Sequence, residues 1–575
     1  LAGLLFFARL GTVGLFDADE PAYAVAAREM RQTGDWVTPT FNGQPRFDKP
    51  ILFYYLIVAA YAVFGISEFA ARFWSALGGV VLAGLIWALG RRHLPRAAGG
   101  AALAFLLNPL TWILGRAAVT DMLLTLSLTA CLALAYEALA AKTTAGSRRA
   151  WLAAAACSAL AVLVKGPIGI VLPGLILGAY TLLTGQVRWA LRRPGLLPGA
   201  ALFLGLTLPW YLLVLRANGW DFVQGFILKH HLRRYTGDVS GHAMPFWFFV
   251  PVLLAAFFPW SAFVPAALVR VAAAWRRCGL RSAECGPSTG SGWKMRNERL
   301  EGGGGAEVRE GHNPQSAIRN LQRGEWERYC AVWFGVTFLF FSGARTKLPS
   351  YLFPAFPALG FLVAGWMTGA PASRRALRWS AALLAFLGLA YAAGAASVPW
   401  ILQLASRQVP ALAETPYTGW VHGVLAVLIA AGTVAGAVAA WGARRAAAGG
   451  VLATMMVLVG GTLLQGVLPL AHEYVQRPLQ SLVEEVRGRL RPGRGDAVIV
   501  YGFNAPSVVF YAGQRVLKVE RGDREGLRQG LAPEAERRAY ALVRTRDAGD
   551  LAGLPGVFLV ARRGGYSVYS NRVPP

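Results

Sequence analysis

The chain has 575 residues, of which 55% are hydrophobic and only 15% charged, and its mean hydropathy is +0.43. Soluble domains carry roughly 25% charged residues, so this composition excludes a water-soluble protein, and it is too apolar for disorder. The five cysteines (Cys131, Cys157, Cys278, Cys285 and Cys330) are few, odd in number and without a histidine at ligand spacing, which excludes a disulfide scaffold and argues against structural zinc. A net charge of +27 would suit nucleic acid, but Lys and Arg gather in short clusters between apolar runs. Membrane topology signals have that form, and no nucleic-acid partner is expected.

A spanning helix needs roughly 20 apolar residues, with about 17 as the lower limit. Thirteen candidates follow in chain order: 1–16, 68–90, 97–115, 121–141, 150–164, 166–184, 195–216, 245–269, 329–344, 350–369, 378–400, 419–442 and 448–470. The first is short and opens without methionine or a visible signal peptide, so it is read as incomplete. The run ILFYYLIVAAYAVFG (51–65) is too short to cross and rich in tyrosine, so it is expected to lie at the interface. The basic clusters at 91–96, 142–149, 188–193, 270–328, 374–378 and 444–445 then share one side, which the positive-inside rule makes cytoplasmic. Charge alone does not separate this topology from one in which 51–65 crosses.

Residues 1–470 are read as the membrane domain, with 17–67 its first outer loop and 270–328, rich in Gly and Ser, a flexible cytoplasmic loop. Residues 471–575 are read as a small outward α/β domain. DAVIVYGF (496–503) and GVFLVARR (556–563) are expected as strands, SVVFYAG (507–513) as a helical turn or strand. The predicted fold class is an α-helical polytopic membrane protein with this small C-terminal domain.

The stretch FDADEPAYAVAAREMRQTGDWVTPTFNGQPRFDKP (16–50) is the most informative. It sets Asp17, Asp19 and Glu20 at the membrane surface, where carboxylates are costly unless solvated, paired or functional. AYAVAAREM reads as a short helix, and GDW and NGQP as turns. FDKP ends the loop with Asp48 beside Lys49. A solvated loop with helix-capping acids is the plain alternative. Further on, Asp121 opens a helix as a cap or a functional acid, and Lys165 interrupts AVLVKGPIG at an outer boundary. KHHLRRYTGDVSGH supplies Lys229, His230, His231, Arg233, Arg234 and His242; SGARTKLPSY adds Arg345, Lys347 and Tyr351. Guanidinium and ammonium groups suit a phosphate. Acids on one loop and cations on several others, all on the outer face, fit transfer of a group from a lipid phosphate. Cations would stabilise the departing phosphate, and a carboxylate would deprotonate or orient the acceptor.

DADEPAYAVAAREMRQTGDWVTPTFNGQPRFDKPILFYYLIVAAYAVFGISEFAARFWSAL resembles the opening of GT-C membrane glycosyltransferases. The similarity is to bacterial lipid A 4-amino-4-deoxy-L-arabinose transferases within the protein-mannosyltransferase-like group. LVKGPIG, HAMPFWFFVPVLLAAFFPW and SGARTKLPSYLFPAFP follow in the family order, so the resemblance covers about residues 12–370.

The resemblance implies a polyprenyl-phosphate-linked sugar donor, an inverting transfer and an active site facing the periplasm of a bacterial inner membrane. It implies a lipid (lipid A-like), glycan or protein acceptor, membrane lipid as partner, and a monomer. It places the catalytic carboxylate at Asp19, assisted by Glu20. Lys49, Arg28, His231, Arg234, Lys347 and Tyr351 become candidates for the donor phosphate. A divalent metal, if used, would sit at Asp48 and His242. The sequence departs from the family where DEGRY has become DEPAY, so Ala22 replaces an arginine, and where FEKP has become FDKP. The rival readings are a lipid-phosphate transporter or flippase and an inactive polyprenyl-phosphate-binding protein. A transporter would place charges mid-span and show an internal repeat.

Overall fold

The computed structural model describes residues 1–233, 243–279, 314–369, 373–405, 419–491, 493–532, 537–551 and 554–573. Among these, eight helices are long and apolar enough to cross a membrane, or up to ten if each of two bent pairs is one span. This is a multi-pass membrane protein. The difference from thirteen has local causes. The opening run forms only the helix Ala2–Phe7. Residues 97–115 break by 65° before Pro109, where the Asn108 side chain caps a new helix. The 245–269 run bends by 114° between Phe246–Ala256 and Trp260–Arg276. Ile168–Leu183 has 16 residues, and 329–344 is the end of the helix Pro314–Gly343. The helices Val264–Gly279 and Pro314–Gly343 also reach into the stretch 270–328 expected as a flexible loop; its remainder, 280–313, lies outside the described residues.

The loop 17–67 opens with the helix Asp19–Thr33, ended by Gly34 in the left-handed conformation (φ 72°). A two-residue turn at Asn42 and Gly43, both at positive φ, joins strands β1 (Thr40–Phe41) and β2 (Gln44–Pro45). Asn-Gly is the pair such a hairpin prefers, because both positions need positive φ. Glu29 pins this hairpin to the helix by accepting from Thr40 Oγ1 (2.7 Å) and Gly43 N (3.1 Å). The helix Leu52–Phe64 follows; at 13 residues it spans about 20 Å, short of the ~30 Å core of a bilayer. It buries Phe53, Tyr54, Ile57 and Tyr61 and so serves as a floor for the loop.

At the other end of the chain, one helical run extends from Arg445 to Arg489, carrying the chain out of the last span without a break. It leads into a five-stranded sheet of order β4-β3-β5-β7-β6: β3 (Ala497–Tyr501), β4 (Val516–Val519), β5 (Ala539–Arg544), β6 (Phe558–Arg563) and β7 (Tyr566–Ser570). β3 runs parallel to β4 and β5, and β7 closes antiparallel onto β5 and β6. Alternate residues serve two faces. Ile499, Tyr501 and Val543 pack under Leu527, while Val498, Val500 and Leu542 join the cluster shared with the membrane domain. SVVFYAG resolves as helix: Pro506–Ala512 is buried at all seven positions, between the sheet and the first outer loop.

Candidate active site

Successive residues of a helix point about 100° apart, and this separates the two acids that open the helix Asp19–Thr33. Glu20 turns inward and is buried. Its carboxylate accepts from Arg72 Nε (2.8 Å) and Nη2 (2.7 Å), Ala118 N (2.6 Å) and Phe16 N (2.8 Å). Arg72 spends its remaining protons on the carbonyls of Leu10, Val13 and Gly14. Glu20 therefore holds the loop together, which corrects its expected part as assistant to the catalytic acid: its lone pairs are occupied. Asp19 turns outward; it is exposed and forms no hydrogen bond or ion pair among the described residues. Its charge acts on the phenols of Tyr23 and Tyr54. Burial and then Tyr54 push the Tyr23 phenol well above its ordinary range, with Asp19 and Asp48 adding to the effect and Arg46 opposing it.

Arg46 was not singled out in the sequence. Its guanidinium lies 5.2 Å from the Tyr23 ring centroid, donates to Tyr54 Oη (3.3 Å) and pairs with Asp48 at 3.0 Å. The signal available was its place immediately before FDKP. Lys49 donates to the Asp48 carbonyl (3.1 Å) and is half-buried at the same corner. Asp48 already carries a cation in Arg46. No group of three His, Cys, Asp or Glu side chains among the described residues is arranged to hold a metal. The described residues around Asp48 thus do not fit a divalent ion. His242 and Arg234 lie outside the described residues, as does the side chain of His231.

Two expected phosphate ligands are committed elsewhere. Arg28 is buried and gives Nη1 to Phe510 O (2.7 Å) and Nη2 to Val509 O (2.9 Å) of the C-terminal domain. Lys347 is buried in its turn, bonded to the carbonyls of Met244 (2.8 Å) and Ala344, and burial lowers its pKa. It ties the exit of the basic loop to the SGARTK turn, which Ala243 and Met244 also meet through the backbone. Lys347→Met strands both carbonyls and should lower stability by about 1–3 kcal/mol, to be read from thermal unfolding of the detergent-solubilised protein.

A second ionic group forms where three helices end. Asp121, the first residue of its helix, pairs with Lys165, the last of another, at 2.7 Å. The Lys165 ammonium sits 5.7 Å from the ring centroid of Tyr351, at the start of the span Pro349–Thr368. The turn before Asp121 is the one whose Ala118 N–H binds Glu20, so this group is joined to the Asp19 loop by a buried hydrogen bond. Beside them, an apolar groove of about 380 Å³ runs between the loop and two spans, lined by Trp36, Val37, Tyr55, Leu163, Leu206 and Trp210. Trp210 Nε1 donates to Val37 O (3.1 Å), fixing one wall.

A family model described as dolichyl-phosphate-mannose-protein mannosyltransferase matches residues 48–212. An undecaprenyl phosphate-alpha-4-amino-4-deoxy-L-arabinose arabinosyl transferase of Proteus mirabilis is 29% identical over 419 residues, 72% of this chain and 66% of that protein. The corresponding transferase of Edwardsiella ictaluri is 29% identical, over 61% of this chain and 55% of its own length. The matched chain thus spans less than two thirds of either relative. The crystal structure of ArnT from Cupriavidus metallidurans bound to undecaprenyl phosphate superimposes with a TM-score of 0.71 at 25% identity, covering 100% of this chain and 98% of that one. The chain has a GT-C-like fold and is similar to the bacterial aminoarabinose transferases. The GT-C match takes in the C-terminal domain as well as the spans. It therefore extends past residue 370, where the sequence resemblance ended.

Proposed function

We propose that this GT-C chain transfers a sugar from a polyprenyl-phosphate donor to a lipid (lipid A-like), glycan or protein acceptor at the periplasmic face of a bacterial inner membrane, with inversion. The observation that carries the reading is Asp19: an outward carboxylate without a hydrogen-bond or ion-pair partner among the described residues, on a loop fixed from beneath by the Glu20–Arg72 pair. It stands on the same outer loop as Lys49, and the Asp121–Lys165–Tyr351 group is joined to that loop. The apolar groove beside this loop has the chemistry to receive prenyl units.

In one displacement, the acceptor oxygen forms its bond to the anomeric carbon while the bond from that carbon to the donor phosphate oxygen breaks. The polyprenyl phosphate leaves with the electron pair. A hydroxyl acceptor gives its proton to the Asp19 carboxylate; a phosphate acceptor is already ionised and Asp19 would orient it. Lys49, Lys165 and Tyr351 are the described groups suited to the leaving phosphate; His231 and Arg234 remain proposals from the sequence. A transporter is less favoured, because the Asp121–Lys165 pair occupies helix ends and not mid-span positions.

Purified protein in lipid nanodiscs, given a panel of labelled polyprenyl-phosphate sugars and total envelope lipid and protein, should move label to one acceptor class. Binding of polyprenyl phosphate with no transfer from any donor would favour the inactive binding protein.

A further inference from the structure

The C-terminal domain grips the first outer loop, and the grip brackets Asp19. The helix Pro506–Ala512 is held at both ends by that loop. At its start, Asp17 accepts from Ser507 N (2.8 Å) and Ser507 Oγ (2.5 Å). At its end, Arg28 donates to Val509 O (2.9 Å) and Phe510 O (2.7 Å). An acid at the start and a cation at the end is the arrangement the backbone dipoles favour. Just ahead of Asp17, the Tyr511 hydroxyl accepts from Leu15 N (2.9 Å) and His472 Nδ1 accepts from Gly14 N (3.2 Å). The approach is close enough that a Cβ at residue 14 would lie 2.8 Å from Tyr511 Oη. The hairpin tip is held too, since Asn42 meets both backbone groups of Val516 (2.7 and 2.8 Å). From the membrane side, the Glu20–Arg72 pair holds the same stretch.

We infer that the C-terminal domain is a positioning element of the transfer site: through Ser507 on Asp17, the Val509 and Phe510 carbonyls on Arg28, and Tyr511 on Leu15, it sets where the Asp19 carboxylate stands. The inference rests on the transferase reading above. Residues 14–28 lie clamped between two bodies, and Asp19 is an acid within them that neither body uses. Placement by about 1 Å can change a rate by 10²-fold, so loosening either clamp should reach the chemistry without touching a substrate contact. None of Asp17, Ser507, Arg28 or Tyr511 is assigned a substrate contact here.

The test uses the full chain in nanodiscs with Asp17→Ala, Ser507→Ala and the double variant. Each single variant should lose at least tenfold in kcat, and the double variant no more than the worse single. The donor KM should stay within twofold. Tyr511→Phe removes one oxygen and carries the same test should the others fail to fold. Lower melting temperatures with kcat within twofold of wild type would overturn the inference and leave the domain a passive support. If wild-type protein transfers nothing, the transferase reading fails, and positioning is read by hydrogen exchange. Peptides over residues 13–20 should then exchange faster in Ser507→Ala than in wild type, with the helix Val421–Trp441 unchanged. Equal exchange over residues 13–20 would overturn it.

Discussion

Asp19→Asn should lower sugar transfer by about 10²–10⁴-fold, the range for loss of a positioned general base, while leaving polyprenyl-phosphate binding in place. Asparagine has the same shape, and Asp19 caps nothing, since Ala18 is the N-cap and no side chain bonds to the first turn there. Asp19 is exposed and has no partner among the described residues, so its replacement strands no buried group. The stability change should stay within about 0.5 kcal/mol, as for other surface substitutions. A lost rate in a protein that melts with wild type would thus be a chemical effect. Turnover and melting temperature should be measured on the same preparation. Retention of more than a tenth of the rate would remove Asp19 from the centre of the site and pass the role to Asp121, the acid paired with Lys165 at this end.

Arg72→Leu should destabilise the protein by about 3–5 kcal/mol, because it leaves a buried carboxylate without its cation. The loss is compounded: Glu20 keeps only the Ala118 and Phe16 amides, and the carbonyls of Leu10, Val13 and Gly14 lose their donor together. Replacing both partners, Arg72→Leu with Glu20→Leu, should cost less than Arg72→Leu alone, since the stranded charge is gone. Thermal unfolding of wild type and the two variants in nanodiscs decides this. A single variant melting within about 2 °C of wild type would mean that the pair holds nothing together. Both variants should also lose transfer, unlike Lys347→Met, whose damage is confined to its own turn.

These two predictions concern adjacent residues with opposite fates, and the sequence could not tell them apart. DADE announces three carboxylates at a membrane surface; which one stays open depends on Arg72, 52 positions further on, and on an amide at residue 118. Arg28 misled for the same reason: a cation in an acid-rich loop suggests phosphate, yet its partners lie more than 480 positions away. Local signals fared better. The Asn42–Gly43 turn, the helix after Asp19 and the runs at β3 and β6 were all legible, because each is fixed by neighbouring residues. β4 and β7 were not, since VLKV and YSVYS are short and become strands by pairing with β3 and β5. Span counting erred where a proline, a cap or a bend divides an apolar run that hydropathy alone reads as continuous.

The 45-residue helical run that ends at Arg489 has a mechanical meaning. The α-helical rise of 1.5 Å per residue sets an upper bound of roughly 68 Å on its length, against a hydrocarbon core of ~30 Å. Its lower half answers to lipid and its upper half carries the sheet. A helix relieves a poor match to bilayer thickness by tilting, and a tilt at the base of a long lever is magnified at its head. The head carries the helix that meets Leu15, Asp17 and Arg28. Bilayer thickness and the geometry of the loop are therefore joined by one continuous helical run, and the lipid around the spans becomes part of what sets the site.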